Sequence, residues 1–156
     1  MTASAAQRAS ILDADQIATN LWQGAAPPDG SVVADAGFTS LFLCAKQLQP
    51  PDSAFPGVNV YRVMLDDSGV PPTKQELVDA AAAGRKLALL LKVGEKVLVT
   101  CHLGINRSGL VSALGLHYLT GMSGPMTVAT VQARRPNALY NRWFREILYQ
   151  LPQGGF

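Results

Sequence analysis

An α/β fold is predicted by three features of the sequence. Short β-branched and apolar runs alternate with helix-patterned runs, the longest helical run opens on its own capping motif, and one apolar strand passes through a glycine-containing loop into an apolar helix. Together they specify a central, mostly parallel twisted sheet of four to five strands flanked by helices, with that loop between a central strand and a buried helix.

The elements follow in order. A first strand is expected near Leu21-Trp22-Gln23, then a short helix from Ser31 to Ala36, a strand from Ser40 to Cys44 and another from Val58 to Val63. A helix over Thr73 to Lys92 begins with Thr73 as N-cap and Glu76 three residues on, a pair that satisfies two backbone N–H groups reciprocally. Along it Leu77, Ala80, Ala81, Gly84, Leu87, Ala88 and Leu91 recur at helical spacing and form an inward stripe. A strand from Val97 to Thr100 and a helix from Arg107 to about Leu119 bracket the loop, and two more helices fit Pro125 to Arg134 and Tyr140 to Leu151.

With 156 residues, a formal charge of +2 and 48% hydrophobic residues, the chain suits one domain. We place it at 11–152, between a flexible N-terminus at 1–10 and a short tail at 153–156. No apolar run is long enough to span a bilayer, and the first residues lack a signal-peptide core, so a soluble chain without a membrane partner is expected. The mild charge argues against nucleic acid. Two cysteines, one needed as a thiolate, fit the reducing cytoplasm.

The chemistry lies in Cys101-His102-Leu103-Gly104-Ile105-Asn106-Arg107-Ser108. A tight loop feeding a helix N-terminus points successive N–H groups at one spot, where the helix dipole also favours negative charge, so this is a phosphate-binding loop. The thiolate is the nucleophilic form of cysteine, and a helix N-terminus and a nearby cation both favour it. Arg107 adds a planar fork that clamps two phosphoryl oxygens, Ser108 can donate to the sulfur, and Gly104 lets backbone approach a ligand closely.

The C-x-x-G-x-x-R-S pattern of Cys101, Gly104, Arg107 and Ser108 resembles the signature of the cysteine-dependent protein tyrosine phosphatase superfamily, and in so short a chain the compact dual-specificity phosphatases. The resemblance implies two steps: thiolate attack by Cys101 gives a phosphocysteine, which water then hydrolyses. His102, Leu103, Gly104, Ile105, Asn106 and Arg107 would surround the substrate phosphate, without a catalytic role for the His102 side chain. The family's histidine before the nucleophile is replaced by Thr100, whose hydroxyl could supply part of that hydrogen bonding. Asn20-Leu21-Trp22-Gln23-Gly24 and the Arg134 to Phe144 segment resemble the family's opening strand and closing segment.

The loop Met64-Leu65-Asp66-Asp67-Ser68-Gly69-Val70-Pro71-Pro72 reads as an acidic turn from its residues alone. By resemblance Asp67 stands where the family keeps its general acid, with Asp66 as the alternative. Cys44 is either a buried strand cysteine or, by resemblance to some relatives, a reversible disulfide partner of Cys101. Asn141 either supports the loop or caps a helix. Arg134, Arg135 and Arg142 form a basic rim or simply face solvent, and His117 belongs to the core. No His, Cys and carboxylate spacing suggests a metal, and no cofactor is called for.

The implied activity is hydrolysis of phosphotyrosine, with phosphoserine and phosphothreonine as further substrates of a phosphorylated protein or peptide. Three alternatives share the loop: a phosphoinositide phosphatase, disfavoured because the loop holds no lysine; an RNA 5′-triphosphatase, suggested by Gly104-Ile105-Asn106-Arg107-Ser108-Gly109 but disfavoured by Asp67; and a phospho-binding pseudophosphatase, suggested only by Thr100.

Overall fold

The computed structural model describes residues 12–154, so the expectation for 1–10 and the end of the 153–156 tail lie outside the described residues. The strands are β1 (Ala14–Ala18), β2 (Leu21–Gly24), β3 (Ser40–Ala45), β4 (Asn59–Leu65) and β5 (Val97–Thr100). The helices are α1 (Ser31–Asp35), α2 (Lys74–Lys92), α3 (Arg107–Thr120), α4 (Gly124–Arg134) and α5 (Arg142–Tyr149). One five-stranded sheet runs β1-β2-β5-β3-β4, parallel throughout except for the antiparallel β1–β2 pair.

β5 occupies the middle and is buried along its whole length, which explains why it reads Val97-Leu98-Val99-Thr100 without polar alternation. The period of two still sorts its side chains between faces. Val97 and Val99 join the larger core with Phe42, Leu87 and Leu110, whereas Leu98 packs with Val33, Phe38, Leu41, Leu43 and Phe55 on the other face. Helices α2 to α5 cover the first face, and α1 with a 3-10 turn at Asp52–Ala54 covers the second.

β1 is an addition to the expected set. Its sequence, Ala-Asp-Gln-Ile-Ala, buries only Ile17, and such an edge strand has too little apolar alternation to be read from the chain. It is held by pairing with β2 across a two-residue connection in which Asn20 adopts φ +63°, a conformation asparagine tolerates.

The capping box of α2 is present. Thr73 Oγ1 accepts from Glu76 N at 3.1 Å, and Glu76 Oε1 accepts from Thr73 N at 3.0 Å. The inward stripe needs one correction. α2 meets α3 most closely around Gly84, where an added Cβ would come 2.6 Å from Leu114 Cβ, and Gly115, where one would come 2.4 Å from Leu87 Cδ2. Leu77 precedes this contact and stays 36% exposed, while Leu90 is buried with Leu87 and Leu91. α3 is buried from Arg107 to His117 and is terminated by Gly121 at φ +76°.

Candidate active site

β5 delivers Cys101 from the centre of the sheet, and α3 begins six residues later with Arg107. The connecting loop is tied from outside, one carbonyl after another. His102 O accepts from Ala26 N at 3.0 Å, Leu103 O from Arg135 Nη2 at 3.0 Å, and Ile105 O from Leu139 N at 2.9 Å. Gly104 O accepts twice, from Arg135 Nε at 2.7 Å and Gln23 Nε2 at 3.0 Å. A planar trans peptide directs its N–H opposite to its C=O, so these bonds turn the amides of Leu103 to Asn106 to the concave side of the loop. Gly104 sits at φ +72°, and a Cβ there would lie 2.3 Å from the Gly24 carbonyl carbon. No other residue fits that junction without moving backbone.

Cys101 Sγ lies 3.3 Å from Ser108 Oγ, and both residues are buried. Arg107 is buried at 6% exposure. Its Nη1 donates to Gln47 Oε1 at 2.6 Å and Leu65 O at 3.3 Å, while its buried Nε has no protein acceptor. A buried guanidinium nitrogen without an acceptor is uncommon, because buried donors are nearly always paired.

The aspartate loop forms the opposite wall. Asp67 Oδ2 accepts from Asn106 Nδ2 at 2.9 Å and Oδ1 from Asn141 Nδ2 at 2.7 Å. Asn141 N in turn donates to Asn106 Oδ1 at 2.8 Å, and Asn141 Oδ1 caps α5 by accepting from Trp143 N and Phe144 N. Asn141 thus contacts the Cys101 loop through Asn106 and also caps α5. The loop is further held by Trp143 Nε1 on Gly69 O at 3.1 Å and by Glu76 Oε2, which accepts from Asp66 N at 2.8 Å. Partial burial opposes the charge of Glu76, but hydrogen bonds from the Thr73 and Asp66 backbone and the Thr73 hydroxyl outweigh it and hold this carboxyl below its ordinary value. Asp66 faces its own loop, accepting from Asp67 N and Ser68 Oγ.

These groups line one cleft of about 650 Å³. Cys101, His102, Leu103, Ile105, Asn106 and Arg107 come from the loop, Asp66, Asp67 and Ser68 from the facing wall, and Lys46 and Gln47 from the segment after β3. His102 and Leu103 are exposed at its mouth.

No protein-family model matches the chain, and no curated protein does. Solved structures do match. Human DUSP28 superposes with a TM-score of 0.73 at 25% identity, covering 87% of this chain and 90% of that one. A mouse protein named as a dual specificity phosphatase and solved with zinc tungstate gives 0.68 at 25% identity, covering 87% and 84%. The chain has the fold of a compact dual-specificity phosphatase. PTPMT1, solved with PI(5)P, shares that fold at 18% identity with a TM-score of 0.74, covering 88% and 93%.

Within this phosphatase fold several expectations change. Thr100 is fully buried and its hydroxyl donates to Phe42 O at 2.9 Å, so it fastens β5 to β3 and does not brace the loop. Arg135 is not a rim residue. Besides its two loop carbonyls it pairs with Asp15 at 2.9 Å and Asp13 at 3.1 Å, which ties β1 to the back of the loop. Arg142 stacks on Trp143 with its guanidinium carbon 4.6 Å from the ring centroid, and Arg134 is exposed. His117 is a core residue whose Nδ1 lies 2.7 Å from Met122 O.

Cys44 is fully buried behind the loop and shares a small cavity of about 130 Å³ with Cys101. Burial pushes its thiol well above the ordinary cysteine value, the Cys101 sulfur adds to this, and Arg107 opposes it. Both thiols are free. Among the described residues no cluster of three or more His, Cys, Asp and Glu could hold a metal, and no helix is long and apolar enough to cross a membrane. Gln23, Gln47, Lys46 and Arg135 as a loop clamp escaped the sequence reading. Gln23 alone left a signal, an amide among apolar strand residues.

Proposed function

We propose that this chain hydrolyses phosphotyrosine in proteins or peptides, and phosphoserine and phosphothreonine as further substrates, through a phosphocysteine. One observation carries the reading: Cys101, Asp67 and the largely buried Arg107, whose Nε has no protein acceptor, line a single cleft. Cys101 attacks phosphorus as the thiolate, while the loop amides and the Arg107 fork hold the non-bridging oxygens where charge accumulates. Asp67 gives its proton to the leaving oxygen and later takes one from the water that attacks the phosphocysteine. The departing sulfur receives a hydrogen bond from Ser108, already 3.3 Å away. Both oxygens of Asp67 are engaged in the free protein, so reaching a substrate exchanges one amide donor for the leaving group.

The loop would accept phosphate or a similar oxyanion, as the tungstate complex of the mouse relative suggests. No cofactor enters the reaction, and two free thiols suit a reducing, cytoplasmic setting. A phosphoinositide substrate is the second reading. It is favoured by Lys46, a cation that lines the cleft from outside the loop, and by the ligand of PTPMT1. Phosphate release from a phosphotyrosine peptide, a phosphoserine peptide and a phosphoinositide, each compared with Cys101→Ser, is the test. The phosphotyrosine peptide should be turned over fastest, and a rate surviving Cys101→Ser would sink the mechanism.

A further inference from the structure

We propose that Gln47 is a positioning residue for Arg107: its carbonyl fixes the guanidinium with the Nε edge toward the phosphate site, and its neutrality leaves the charge of Arg107 to the substrate. Gln47 lies outside the Cys101 loop, in an exposed stretch after β3 where nothing in the packing calls for an amide. Yet Oε1 takes the shortest hydrogen bond that Arg107 makes, 2.6 Å from Nη1. The other acceptor, Leu65 O, holds the same nitrogen at 3.3 Å. Both anchors fall on Nη1, and the buried Nε is left without one. Because a guanidinium is planar and rigid, fixing one nitrogen fixes the plane and direction of the remaining donors.

Gln47 is itself held in place. Gln49 Nε2 donates to Leu43 O at 3.1 Å and Ala45 O at 2.9 Å, and Gln49 Oε1 accepts from Arg62 Nη1 at 3.1 Å. Arg62 Nη2 reaches Asp52 at 2.6 Å, and Lys46 N donates to Leu65 O at 3.0 Å. The segment presenting Gln47 is thus fastened to β3 and β4 on both sides of it. A carboxylate at this position would keep the anchor but neutralise part of the charge that an incoming dianion meets.

The kinetic arm of the test rests on the phosphatase reading, whereas the binding arm does not. Inorganic phosphate affinity is measured by calorimetry in the full chain and in Gln47→Ala and Gln47→Glu, together with kcat and KM for an aryl phosphate. Gln47→Ala should weaken phosphate about tenfold and lower kcat by a similar factor, the loss expected for one hydrogen bond to a charged group. Gln47→Glu should recover kcat to within about threefold of the parent while phosphate affinity stays weak and KM rises, a split that a merely structural side chain would not produce. Phosphate affinity and kcat/KM within about twofold of the parent in Gln47→Ala would overturn the inference, as would identical behaviour of the two variants. A parent chain that binds phosphate but hydrolyses no ester would defeat the phosphatase reading alone, and the affinities would still decide the role of Gln47.

Discussion

The two walls of the cleft are built in opposite ways. The Cys101 loop is anchored to the core: it grows out of the central strand, enters a buried helix, and has the carbonyls of His102, Leu103, Gly104 and Ile105 bonded to groups behind it. The aspartate loop is exposed from Asp66 to Pro71 and is held by side chains alone, through Asn106, Asn141, Trp143 and Glu76. An anion site needs preorganised dipoles that do not relax when charge arrives, so burial serves it. A proton donor must change partners during turnover, so a loop fastened by a few replaceable bonds serves it better. Damage to the first wall should therefore abolish binding or folding, whereas damage to the second should slow chemistry and spare the fold.

The comparison can be broken most directly at Arg107. Arg107→Lys should lower kcat/KM on the order of a thousandfold, since a point charge cannot reproduce the fork, with phosphate affinity in calorimetry falling in parallel. On the other wall, Asp67→Asn should cost about a hundred- to a thousandfold in kcat on a poor leaving group, with stability in urea within about 1 kcal/mol of the parent. A larger drop in Asp66→Asn would transfer the acid role to Asp66. Gly104→Ala should destabilise the fold by roughly 2–3 kcal/mol in urea titration, because the new Cβ meets the Gly24 and Ala25 backbone at 2.3 to 2.6 Å and φ is +72°.

Glu76 offers a pH test of the aspartate wall. Its folded value lies below the ordinary one, so its stabilising effect is complete above the unfolded value and disappears as pH falls through the folded value. Glu76→Gln should accordingly be less stable than the parent by about 1 kcal/mol at neutral pH, and the gap should shrink as the pH falls through the folded value. The smallest effect is expected from Trp143→Phe, which removes the bond to Gly69 O and weakens the stack under Arg142, and should reduce kcat by about twofold to fivefold without moving the melting temperature by more than a few degrees.

Strand β5, the Cys101 loop and α3 were legible because they are consecutive: periodicity, glycine and a helix start act within a few residues of one another. The capping box of α2 was legible for the same reason. The support of the loop was not, because its partners are distant in sequence. Gln23 is 81 residues from Gly104, and Gln47 is 60 from Arg107. Arg135 read as a surface cation beside Arg134, yet β1, the strand with the weakest pattern, and the residue before it supply the carboxylates that turn it inward. Leu77 fitted the stripe of α2 and stayed exposed, since helical period states which face a residue shares and not how far the neighbouring helix reaches.

What the sequence determined by itself is therefore the local chemistry, a thiol, a fork of donors and a glycine-containing loop between them, because those depend on neighbours along the chain. The tertiary structure alone decided which side chains brace that chemistry from behind and where the facing carboxylate stands. Those depend on the strand order β1-β2-β5-β3-β4, and the free energy that selects an order is spread over the whole buried sheet rather than written in any one segment of it.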